Sequence, residues 1–187
     1  MKIPLTCAFL IIPYFSCFAE ITGYWNFNGS LKATIGENLE WAWEQGGATF
    51  GTTDKFGISG IQGKPANVLK FPDSDEISDF SGIEVYHGAE LDEDNWLFNE
   101  YSIIVDILYP ETSSTDIRAI VSNAPVEQAS IIINGERKIG GTSFYGEILA
   151  NTWYRIAIVV SHSSNNINYY LDGKNIGQES IEDLVDG

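Results

Sequence analysis

The sequence is poor in the residues on which most thiol, imidazole and zinc chemistry rests. Among 187 residues there are two cysteines, two histidines and one methionine. So few ligands leave a zinc site poorly supplied and give thiol chemistry little to work with. Positive charge is scarce too: 10 Lys and Arg stand against 26 Asp and Glu, a formal net charge of −16. That balance repels phosphate backbones and anionic lipid, which disfavours nucleic-acid binding and charge-driven membrane binding. No stretch holds a helical 3.6-residue period for three turns, and no apolar run reaches the roughly 20 residues that span a bilayer comfortably. What is present is a 44% apolar and 13% aromatic composition, ample for the core of one domain.

Residues 1–19 read as a secretory signal peptide. Met1-Lys2 supplies one positive charge, an apolar run follows from Ile3 to Phe18, and Ala19 precedes the acidic Glu20. Cleavage after Ala19 places Ala at −1 and Cys17 at −3, both small. The alternative, a lipoprotein with Cys17 as the lipidated residue, has bulky Tyr14-Phe15 ahead of it. Removal of the peptide takes Cys7, Cys17 and Lys2 with it, so residues 20–187 carry no cysteine and a net charge of −17. The expectation is an exported domain, secreted or held in the cell envelope, that folds without disulfides.

From Glu20 onward, β-branched and aromatic runs alternate with Gly, Asn, Asp, Ser and Pro. In Glu100-Tyr-Ser-Ile-Ile-Val-Asp-Ile-Leu-Tyr109, the residues Tyr101, Ile103, Val105, Ile107 and Tyr109 share one face at period two. In the strand expected over 152–161, Tyr154, Ile156, Ile158 and Val160 share a face and Arg155 lies on the other. Further strands are expected at 23–27, 39–43, 48–52, 67–71, 83–87, 116–122, 130–134, 142–145 and 167–171. Asp172-Gly173 after the last is a hairpin signal. Many short strands with frequent turn signals predict an all-β, antiparallel β-sandwich.

Three segments carry a more specific likeness: Gly23-Tyr-Trp-Asn-Phe-Asn-Gly29, Asn151-Thr-Trp-Tyr-Arg-Ile-Ala-Ile-Val-Val160 and Asn168-Tyr-Tyr-Leu-Asp-Gly173. In order and spacing they resemble the laminin G-like, concanavalin A-like jelly rolls of bacterial secreted proteins, over residues 20–187. The resemblance implies a jelly-roll topology. It also implies further closing strands after the one that follows the Asp-Gly turn, so the domain is expected to lack its last strands.

Glycoside hydrolases share such folds, and a retaining mechanism needs two carboxylates about 5–5.5 Å apart. The nearest pattern, Glu90-Leu-Asp-Glu-Asp94, has the spacing but sits in a run that reads as an acidic loop. His87 and His162 lie at strand ends with no Gly-x-Ser-x-Gly elbow near either. Calcium binds carboxylate, amide and carbonyl oxygens, and the densest candidate ligand sets are Asp73, Asp75 and Glu76, and Asp92, Asp94 and Asn95. Neither has the order of an EF-hand, and solvation of an acidic exported domain explains them without a metal.

Exposed aromatic rings offer a flat apolar face to pyranose C–H groups. Trp41 and Trp43 share a strand face, Trp96 follows an acidic loop, and Tyr145 lies near a Gly-rich turn; Trp25 and Trp153 are expected in the core, which is also the alternative place for Trp41, Trp43 and Trp96. Together these readings predict a secreted, non-catalytic recognition module for glycan or an extracellular protein surface, within a larger exported protein. The alternative is a glycoside hydrolase or lyase on the same fold. No nucleic-acid partner and no membrane insertion after signal removal are expected.

Overall fold

The computed structural model describes residues 20–42, 47–72, 82–85, 100–113, 118–121 and 131–181. Their regular structure is almost entirely β, and every strand pairing is antiparallel. The strands are β1 (Glu40–Trp41), β2 (Thr49–Thr52), β3 (Asn67–Lys70), β4 (Ile83–Glu84), β5 (Glu100–Leu108) and β6 (Arg118–Val121). They continue with β7 (Ile131–Ile133), β8 (Ile139–Gly140), β9 (Phe144–Tyr145), β10 (Trp153–Ser161), β11 (Asn166–Leu171) and β12 (Lys174–Ser180).

Two four-stranded sheets, ordered β5-β10-β11-β12 and β6-β7-β8-β9, supply one hydrophobic core. The period-two pattern explains why. On β10, Ile156, Ile158 and Val160 are buried, opposite Val105, Ile103 and Tyr101 of β5. Ile167 and Tyr169 of β11 extend the same face, and Ile131, Ile133 and Ile139 from β7 and β8 meet it. Each fully buried aliphatic side chain contributes about 1.5–3 kcal/mol relative to exposure. Two sheets joined through interdigitated inner faces are consistent with a β-sandwich. The pairs β1-β4 and β2-β3 form separate two-stranded ribbons.

The turn after β11 is as the dipeptide predicts. Asp172 (φ 49°) and Gly173 (φ 79°) link Leu171 to its partner Lys174, both residues at the positive φ that a two-residue type I′ hairpin requires. The outer faces of β5 and β10 are tied by Arg155 and Asp106, directly opposite in register. Arg155 Nε and Nη2 each donate at 2.7 Å to one carboxylate oxygen of Asp106. That hydrogen bonding and charge push the guanidinium pKa up.

Two expectations need correction. Residues 23–27 form no strand: only Tyr24 bridges, to Ile35, and Phe27 turns to a φ of 50° that ends extended backbone. Trp25 and Trp153 are half-buried rather than core residues, and each indole N–H finds a backbone acceptor. Trp25 donates to the Glu37 carbonyl at 2.8 Å, and Trp153 to the Ser59 carbonyl at 2.6 Å. Among the described residues, no helix is long and apolar enough to cross a membrane.

Candidate functional site

At one end of the β10-β11-β12 sheet lies an open depression of about 430 Å³. The β10–β11 turn contributes Ser164 and Asn165, and Asn166 follows at the start of β11. Ser143 and Tyr145 come from β9 and the bend before it, and residues 178–180 of β12 complete the lining. A Ser- and Asn-rich turn suits this position: Asn tolerates the left-handed conformation that Asn165 adopts (φ 50°), closed by its N–H donating to the His162 carbonyl at 3.1 Å. Among the described residues the lining is therefore mostly hydroxyl and amide, with one aromatic ring.

The wall between the two sheets is fixed by Glu179, which is only 8% exposed. Its Oε1 accepts the Gly141 N–H at 2.9 Å and the Tyr169 hydroxyl. Its Oε2 accepts the Thr142 N–H at 3.0 Å, the Thr142 hydroxyl at 2.9 Å and the Ser143 N–H at 3.2 Å. Successive backbone amides in a bend make a concavity for an anion, and here a side chain of the same protein fills it. Burial first, then the hydrogen bond to Glu179, pushes the Tyr169 phenol far up, so it stays a donor. Among the described lining residues the one carboxylate, Glu179, is thus engaged by five donors, which leaves it poorly placed to act as a nucleophile or general acid.

Tyr145 forms the apolar part of the rim. Its ring stacks beside Tyr169 with centroids 5.7 Å apart, lies over the backbone of Gly177, and its hydroxyl donates to the Gln178 carbonyl at 2.6 Å. Across the turn, Glu100 holds the serines. Its Oε1 accepts from the Ser163 hydroxyl at 2.5 Å, the Ser161 hydroxyl at 3.1 Å and the Ser163 N–H at 3.3 Å. The Ser163 hydroxyl is the main reason that carboxyl titrates below its ordinary range. His162 is exposed in this turn.

Of the aromatic residues singled out from the sequence, Trp41 and Tyr145 are described, and the structure does not bring them into one cluster. Trp41 is half-buried on β1 with its ring 6.3 Å from Phe50. Trp43 and Trp96 lie outside the described residues, as do the calcium candidates Asp73, Asp75, Glu76, Asp92, Asp94 and Asn95. Among the described residues no group of three or more His, Cys, Asp or Glu is gathered as a metal would require. Sequence reasoning missed Ser164, Asn165, Asn166 and Gln178. The only available signal was the density of Ser and Asn over 161–166, which equally marks an ordinary exposed turn. No family model matches the sequence, and neither a curated protein nor a solved structure matches it.

Proposed function

We propose that this chain is a recognition module of an exported protein, without catalytic activity of its own, and that it binds glycan at the depression between the β10–β11 turn and β12. The observation that carries this reading is the lining itself, hydroxyls and carboxamides around Tyr145. Hydroxyl-rich ligands need closely spaced donors and acceptors beside an apolar surface. The engagement of Glu179 by five donors favours binding over hydrolysis. The likeness of three segments to laminin G-like, concanavalin A-like jelly rolls and the signal-like residues 1–19 support the same reading from the sequence.

The test is titration calorimetry of the full chain against neutral oligosaccharides selected on a glycan array. Asn166→Ala and Gln178→Ala should each weaken binding roughly tenfold, the equivalent of one good hydrogen-bonded pair. A chain that binds nothing on the array, or variants that bind as the parent does, would refute the site. Release of reducing ends from any bound glycan would instead establish the glycoside hydrolase alternative.

A further inference from the structure

The ribbon β2-β3 differs from the rest of the molecule in charge. Residues 47–72 contain Lys55, Lys64 and Lys70 against the single carboxylate of Asp54, a local excess of positive charge in a chain of net −16. Two of these lysines converge on one ring. Lys55 Nζ lies 5.9 Å and Lys70 Nζ 5.8 Å from the centroid of Phe56. The ring itself is fixed, because it packs over Gly51, where a Cβ would come within 2.8 Å of it. The turn that carries it is closed by the Phe56 N–H on the Thr52 carbonyl (3.1 Å), the Gly57 N–H on the Asp54 carbonyl (3.1 Å) and the Ile58 N–H on the Thr53 carbonyl (3.0 Å). Both lysines are exposed, and neither pairs with a carboxylate among the described residues.

A quadrupole attracts a cation to a ring face, but two cations held against the same ring also repel each other. An anion bound beside the ring would offset both charges. We propose that the Lys55–Phe56–Lys70 cluster is a binding site for a single carboxylate or sulfate on an otherwise uncharged glycan. Nucleic acid fits less well: duplex DNA carries a charge about every 1.7 Å, so neighbouring phosphates would meet the acidic remainder of the surface. A glycan with sparse acidic substituents offers one anion among neutral hydroxyls. The anion site rests on the ribbon, whereas the choice of a glycan to carry the anion rests on the proposed function.

The experiment uses the full chain and three probes measured by calorimetry. They are an oligosaccharide bearing one glucuronate, its carboxyl-reduced counterpart, and the same oligosaccharide carrying one sulfate in place of the uronate. The glucuronate probe should bind at least tenfold more tightly than the reduced probe, with the difference shrinking as salt rises. The paired substitution Lys55→Gln and Lys70→Gln should abolish that difference and leave binding of the reduced probe unchanged. The sulfate probe separates the two anions the site could receive, binding above the reduced probe if sulfate is accepted. Equal binding of charged and reduced probes would overturn the proposal, as would a double variant that keeps the preference. Tighter binding of a short single-stranded oligonucleotide than of either acidic sugar would overturn it too. Loss of neutral-sugar binding in Asn166→Ala, with the acidic preference intact, would show that the two sites are separate.

Discussion

The phenol of Tyr169 and the carboxylate of Glu179 form a hydrogen bond inside the core, on adjacent strands of one sheet, and the same carboxylate holds the bend that leads into β9 of the other. Glu179 therefore joins the sheets by polar contacts where aliphatic packing joins them elsewhere. Glu179→Gln replaces one acceptor oxygen by an amide that donates, and leaves either the Gly141 N–H and Tyr169 hydroxyl or the Thr142 and Ser143 N–H groups facing another donor. An unsatisfied buried polar group costs about 1–3 kcal/mol, so a loss of about 2–4 kcal/mol is expected in urea denaturation. Tyr169→Phe removes one donor and should cost about 1.5–3 kcal/mol, the range for hydrogen bonds to charged groups. A Gln variant within 0.5 kcal/mol of the parent would show that water replaces the contacts at little expense.

Gly177 and Gly173 sit four residues apart and should respond to alanine for different reasons. At Gly177 a Cβ would fall 2.2 Å from Tyr145 Cδ1, so the ring has to move, which also strains its hydroxyl bond to Gln178. Overpacking of this kind costs about 1–3 kcal/mol. At Gly173 no atom lies within 4 Å of the added carbon, but the φ of 79° disfavours any L side chain, at about 1–2 kcal/mol. Adding Tyr145→Ala therefore distinguishes them. The double variant with Gly177→Ala should be less destabilised than the sum of its parts, whereas Tyr145→Ala and Gly173→Ala should add. Additivity in both pairs would remove the steric account of Gly177.

These residues also mark where the sequence was legible. The inner faces of β5 and β10 follow from strict alternation, and the β11–β12 turn from Asp172-Gly173, because period and turn chemistry are local properties. Residues 23–27 alternate as well, yet form no strand: extended structure there would need a φ that Phe27 does not adopt. The two-residue β8 was invisible, since Ile139 is followed by two glycines and no period can be read from so short a stretch. Glu179 reads as a surface residue in Gly177-Gln-Glu-Ser180. Its burial depends on amides 36 to 38 positions earlier, which no local pattern encodes. Of the aromatic residues found by type, Tyr145 stands at the depression and Trp41 does not, while Trp43 and Trp96 lie outside the described residues.

The Glu100 carboxyl ties the start of β5 to the β10–β11 turn, and its hydrogen bonds set a pH dependence whose sign is fixed. The Ser163 hydroxyl, then the Ser161 hydroxyl and the Ser163 N–H, hold its pKa below the ordinary value of 4.5. A carboxyl depressed in the folded state contributes stability that is fully present above its unfolded pKa and is lost as pH falls through the folded one. Glu136, lowered by its 2.8 Å pairing with Lys138, behaves in the same direction. Urea midpoints should therefore be level from pH 7 to about 5 as far as these groups are concerned, and should decline below 4.5. The decline should be shallower in Glu100→Gln, whose amide cannot titrate. Salt provides the discriminating control, since it screens the exposed Glu136–Lys138 charges but not neutral hydroxyl donors. In 1 M NaCl the difference between parent and Glu100→Gln should persist apart from the small attraction of His162, while that between parent and Glu136→Gln narrows. Parallel acid declines for parent and Glu100→Gln would mean that the serine contacts carry no net stability.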